Sequence, residues 1–133
     1  MSEIETPIAR VRGHGSAREG AEHWWTERLT SLATLLLFIW LAVSLLTLPD
    51  LELRTVSAWL ASPMGAVPMI LLVISTFWHL KLGLQVVVED YVHEEGGKLF
   101  WLVLINFGAV LGAAFALFAI LRIAFAGGAA PGV

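Results

Sequence analysis

Three stretches of this chain carry no charged residue: 29–49 between Arg28 and Asp50, 55–80 between Arg54 and Lys81, and 99–121 between Lys98 and Arg122. A helix needs about 20 residues to cross the hydrocarbon core of a bilayer. Each stretch is long enough, and in lipid a chain of this kind must satisfy its backbone polar groups within its own helices. The sequence therefore predicts an all-α membrane protein with three transmembrane helices. Composition agrees, since 58% of the residues are hydrophobic and 14% charged, well below the charge of an ordinary soluble domain. The first stretch is too long for the apolar region of a secretory signal and has no small-residue cleavage site.

Several kinds of chemistry are excluded. With no cysteine there is no disulfide, no thiolate-held iron–sulfur cluster and no C-x-x-C-H haem attachment. A net charge of −3 gives no reason to expect a nucleic acid. The chain has no glycine-rich nucleotide fingerprint, phosphate loop or nucleophile elbow, so it is not expected to start a reaction alone.

The spacing predicts a polar amino-terminal segment over 1–22, a first transmembrane helix over 23–48 and a connector over 49–67 holding a short interfacial helix. A second transmembrane helix follows over 68–92, with Pro68 in its first turn. A loop over 93–98 is expected to end that helix at Gly96-Gly97, and a third transmembrane helix over 99–126 leads to a 127–133 tail. Trp24 and Trp25 suit the membrane–water boundary. The small residues of "GAVLGAAFA" permit close helix contact, and Asn106 is expected to hydrogen-bond across helices. Arg10, Arg12, Arg18, Arg28 and Lys98 lie on one side of the three spans and Arg54 and Arg122 on the other. By the positive-inside rule the amino terminus and the 93–98 loop are then cytoplasmic, and the connector and tail periplasmic.

The second helix carries the residues that an apolar span does not need. At 3.6 residues per turn His79, Gly83, Val86 and Asp90 share one face, with Asp90 about 16 Å along the axis from His79 and Tyr91 beside it. A neutral imidazole at this depth, near mid-membrane, is a good axial ligand for haem iron, and a glycine one turn on would let a flat macrocycle approach. The other reading is a histidine hydrogen-bonded to a neighbouring helix. His14, His23 and His93 fall at or beyond the boundary, so a second haem ligand would come from another chain. Asp90 and Tyr91 either anchor the helix end or meet a quinone headgroup. Lys81, Gln85 and Glu89 form a second, polar stripe roughly opposite, in which Gln85 can bridge its neighbours. That stripe reads as a seam against a partner helix or as a proton path.

The pattern H-x3-G-x6-D-Y within "HLKLGLQVVVEDYVH", with "GSAREG" and "HWWTERLT" before the first helix, resembles the small hydrophobic membrane-anchor subunits of bacterial, especially alphaproteobacterial, succinate dehydrogenase (respiratory complex II). The resemblance covers nearly the whole chain. It implies that the chain pairs with a three-helix cytochrome b subunit around one haem b, under a flavoprotein and an iron–sulfur subunit on the cytoplasmic side of the inner membrane. His79 would be one axial iron ligand, Gly83 and Arg28 would line the haem pocket, and Tyr91 and Asp90 would contact ubiquinone. The heterotetramer could associate further. The chain would then have no activity of its own within a succinate:quinone oxidoreductase. A fumarate reductase anchor using menaquinone is the nearest alternative, and a non-redox scaffold or transporter subunit is another. The resemblance gives no role to Lys81.

Overall fold

A computed structural model describes residues 18–126. The first seventeen residues of the expected amino-terminal segment and the expected 127–133 tail lie outside the described residues. Four helices follow one another: α1 Arg18–Thr47, α2 Leu53–Ala61, α3 Pro63–Tyr91 and α4 Glu95–Ala126. Among the described residues there is no strand. The segments Gly20–Thr47, Pro63–Tyr91 and Glu95–Ala126 are long and apolar enough to cross a membrane.

Helix α3 is the axis of the fold. α1 and α4 pack on it separately and make no close backbone approach to each other, while α2 rests against α3 and α4. Accordingly, four of the six buried apolar side chains, Ala66, Leu72, Leu82 and Val88, belong to α3. Most of the remaining large apolar side chains of the spans are exposed, among them Leu35, Leu36, Phe107 and Phe118. This is the economy of a membrane subunit: lipid tails are as apolar as leucine, so its helices gain little by hiding apolar surface from them. Close backbone approach matters more. A Cβ at Gly112 of α4 would stand 2.6 Å from Phe77 Cε1, so the small-residue stretch does what its composition suggests. Gly65 plays the same part against α2, where a Cβ would run into the Trp59 carbonyl.

The helix ends differ from the sequence expectation in instructive ways. α3 starts at Pro63 and holds Pro68 inside it. Ser62 explains this, because its Oγ accepts from the Gly65 N–H at 3.2 Å and Pro63 fills the first helical position, where no N–H is needed. Gly96 and Gly97 lie in the first turn of α4, after a break of only residues 92–94. First-turn amides lack intrahelical acceptors in any helix, and Glu95 offsets the positive helix end. α1 begins at Arg18, so its charged residues are helical too. Asn106 does not reach another helix: its Nδ2 donates to the Leu102 carbonyl of its own helix at 2.8 Å. The backbone supplied the nearest acceptor.

Between α1 and α2, the Asp50 Oδ1 accepts from the Glu52 N–H at 3.0 Å. Its carboxyl is held below the usual carboxylate range by a hydrogen bond from Thr55 and by that backbone N–H.

Candidate functional site

α1 and α3 meet through hydroxyl groups, and these fix their register. Thr34 Oγ1 and Ser75 Oγ are 2.6 Å apart, and Ser75 Oγ also donates to the Thr30 carbonyl at 3.2 Å. One turn along, His79 Nδ1 lies 3.4 Å from Thr30 Oγ1 and 3.4 Å from Ser31 Oγ. Both hydroxyls also have backbone carbonyls of α1 within reach. Thr30 Oγ1 donates to the carbonyls of Thr26 at 2.8 Å and Glu27 at 3.0 Å, and Ser31 Oγ donates to that of Glu27 at 2.8 Å. With those bonds made, the hydroxyls accept toward His79, and the imidazole then carries its proton on Nδ1 and its lone pair on Nε2. Sequence inspection missed Thr30 and Ser31. Their adjacency in "RLTS" is visible, but that they meet residue 79 depends on helix packing.

The surroundings of His79 are asymmetric. No atom outside its own stretch of helix lies within 4 Å of where a Cβ would stand at Gly83, so the face one turn beyond His79 is open. Ser31 also lines a trough of about 610 Å³ on α1 whose other walls are Trp24, Glu27, Arg28, Leu32 and Leu35. The Arg28 guanidinium sits 4.5 Å from the centre of the Trp24 ring. His79 is half-buried. A haem needs a neutral nitrogen lone pair, a flat approach and a cation for its propionates. The Nε2 of His79, the bare backbone at Gly83 and Arg28 on the same trough as Ser31 fit those demands. Among the described residues no group of three metal-ligating side chains comes together.

The register also sets depth. The contacts of His79 with Thr30 and Ser31 put it close to the charged end of the α1 run, whereas Phe77 beside Gly112 puts it near the middle of the α4 run. Lys81 comes level with Arg28.

At the far end of α3, Asp90 and Tyr91 occupy the last two helical positions. Tyr91 is 79% exposed and Asp90 is exposed beside it. On the opposite stripe Gln85 Nε2 donates to Glu89 Oε1 at 3.0 Å. Lys81 does not join that pair; its Nζ lies 5.3 Å from the centre of the Trp78 ring.

Comparison with known proteins adds an independent line. Residues 2–121 match the family model for the succinate dehydrogenase/fumarate reductase transmembrane subunit. The succinate dehydrogenase hydrophobic membrane anchor subunit of Rickettsia bellii is 30% identical over 90 residues, which is 68% of this chain and 72% of the relative. That of Rickettsia conorii is 30% identical over 91 residues, covering 68% and 72%, and that of Rickettsia typhi 25% identical, covering 68% and 73%. No solved structure gives a significant match.

Proposed function

The chain belongs to the succinate dehydrogenase/fumarate reductase transmembrane subunit family, and from that premise we propose that it is the hydrophobic membrane-anchor subunit of a succinate dehydrogenase. Of the two enzymes in the family's name, the similar Rickettsia subunits carry that of the dehydrogenase. In this role the chain holds half of a haem b site and one wall of a ubiquinone-reduction site. It works with a cytochrome b partner, an iron–sulfur subunit and a flavoprotein in the bacterial inner membrane, its amino terminus toward the cytoplasm.

The observation that carries the haem assignment is the placing of His79. Thr30 and Ser31 lie against its Nδ1, so Nε2 would be the nitrogen left to hold the iron. An outer hydrogen bond of this kind orients a ligating imidazole and raises its basicity. Gly83 would leave room for the macrocycle edge, and Arg28 would pair with the propionates. When bound, the haem supplies a one-electron store. A second ligand would come from the cytochrome b partner.

At the other level, the Tyr91 hydroxyl donates to a quinone carbonyl oxygen, and the Asp90 carboxylate orients a neighbouring cation or passes on a proton. Succinate gives up two electrons and two protons in the flavoprotein. The electrons travel through the iron–sulfur subunit, and the quinone takes up two electrons and two protons to become quinol. This chain transfers no hydride; it binds, orients and anchors.

The test is made on the purified complex. His79→Ala removes the reduced b-type α-band contributed by this site while the four subunits remain together. Retention of the band with unchanged axial ligation rules His79 out as the ligand. Loss of the complex from the membrane on deleting the chain, with flavoprotein activity surviving in solution, checks the anchoring role separately.

A further inference from the structure

Thr26, Thr30 and Thr34 follow one another at four-residue intervals along α1, a spacing at which each hydroxyl can bond back to the carbonyl one turn earlier. The first two do so. Thr26 Oγ1 donates to the Glu22 carbonyl at 2.8 Å and Thr30 Oγ1 to the Thr26 carbonyl at 2.8 Å, and Ser31 reaches Glu27 in the same way. Thr34 breaks the series. The carbonyl it would use, that of Thr30, accepts instead from Ser75 Oγ of α3 at 3.2 Å, and Thr34 Oγ1 stands 2.6 Å from that same Ser75 Oγ. With the Ser75 proton given to the carbonyl, Thr34 is the donor to Ser75. A back-bond local to α1 has been opened and a hydroxyl of another helix inserted into it.

We infer that Ser75, held in this way by Thr34, is a positioning residue for His79: through Thr30 it fixes where the imidazole stands, and so how that imidazole ligates haem. This rests on the assignment of His79 as a haem ligand.

The geometry supplies the coupling. Ser75 precedes His79 by four residues, so both lie on one face of α3, a turn apart. Thr30 serves both levels, since its carbonyl takes the Ser75 proton while its hydroxyl lies 3.4 Å from His79 Nδ1. A slide or rotation of α3 against α1 must stretch the two contacts together. Apolar packing is less exacting. Ala33, Leu37, Leu71 and Ile74 line the same interface, and such side chains accept small rotations that a hydrogen bond, confined to about 3 Å and a narrow angle, does not. Bonds between helices add only modestly to their association in lipid. What the Thr34–Ser75–Thr30 chain supplies is orientation, the property an imidazole ligand draws from its outer contacts.

The test uses the purified complex. Ser75→Ala should keep haem at full occupancy but shift both the electron paramagnetic resonance g-values of the oxidised haem and its midpoint potential, because ligand orientation and outer hydrogen bonding tune them. Thr34→Val, which keeps the side-chain volume, should give the same shift and carries the test if Ser75→Ala fails to assemble. The double variant should shift no further than either single one, as members of one network do. Ser75→Thr, which restores the hydroxyl, should return the wild-type spectrum. Leu71→Ala trims the same interface without touching a hydroxyl; it should lower the melting temperature and leave the spectrum in place. Wild-type g-values and potential in both Ser75→Ala and Thr34→Val would overturn the inference, and so would an equal spectral shift in Leu71→Ala. His79→Ala, measured alongside, separates the two readings. If it retains the b-type band, the haem assignment falls and the positioning role with it. If it loses the band while the hydroxyl variants change nothing, the positioning role alone falls.

Discussion

The two levels of helix α3 to which haem and quinone are assigned above are built very differently. At the first, His79 is half-buried and gripped by a neighbouring helix, with both contacting hydroxyls supplied by this chain. At the second, Tyr91 is 79% exposed at a helix end and Asp90 stands exposed next to it. In the proposed role one polypeptide would thus pre-orient a metal ligand but offer only one wall of a substrate site. The physical reason lies in the chemistry each level serves. A ligating imidazole must hold one tautomer and one orientation, which adjacent helices can fix. A quinone headgroup has to enter and leave, and the groups that enclose it are best shared between subunits that meet at the surface.

That contrast can be broken most sharply at Gly83. Placing a side chain there with Gly83→Leu should expel haem from the complex, because it fills the open face beside His79. Succinate oxidation with an artificial flavin-site acceptor should stay at wild-type rate. Full haem occupancy, read from the reduced α-band, would show that the macrocycle does not approach this face.

A smaller effect is expected from removing the hydroxyls that hold His79. Thr30→Val with Ser31→Ala should lower haem affinity about tenfold, the lower end of what loss of an outer hydrogen bond to a ligand costs. It should also shift the haem midpoint potential, as a merely structural contact would not. At the second level, Tyr91→Phe should reduce ubiquinone turnover about fivefold, corresponding to one net hydrogen bond, with the haem spectrum unaltered. If Tyr91→Phe changed the spectrum and the hydroxyl variants changed quinone turnover, the two levels would not be separate.

The smallest effect is remote from both and calibrates them. Asp50 caps the chain after α1 and its carboxyl is held below the ordinary value by Thr55 and the Glu52 N–H. A depressed carboxylate contributes stability above its unfolded pKa and loses it as pH falls through the folded one. Asp50→Ala should therefore lower the melting temperature slightly at about pH 7, and the difference from wild type should vanish toward about pH 3, measured by thermal unfolding in detergent. Neither haem content nor quinone turnover should respond.

Much of this molecule is legible in the sequence because the bilayer imposes a strict code. Uncharged runs of the right length can only be spanning helices, and the H-x3-G-x6-D-Y pattern puts its residues on one helix whatever the tertiary packing. The less legible features are those in which a local rule had a competitor. Pro68 reads as a helix start, yet Ser62 and Pro63 form a better cap five residues earlier. Gly96-Gly97 reads as a stop, yet first-turn amides tolerate glycine. Asn106 reads as a bridge between helices, yet its own helix offers a carbonyl at 2.8 Å. Lys81 reads as a member of a polar stripe, yet the Trp78 ring one turn back takes its ammonium.

By itself, then, the sequence determined that the chain crosses a membrane three times and that histidine, glycine, aspartate and tyrosine line one helix. These follow from hydrophobicity and from helical period, both local quantities. The tertiary structure alone decided that α3 is central, that Thr30 and Ser31 lie against His79, and that Thr34 meets Ser75. Each of these depends on the register of α1 against α3. That register is set by hydroxyl contacts between residues some 41 to 49 positions apart, which no periodicity within a single helix encodes.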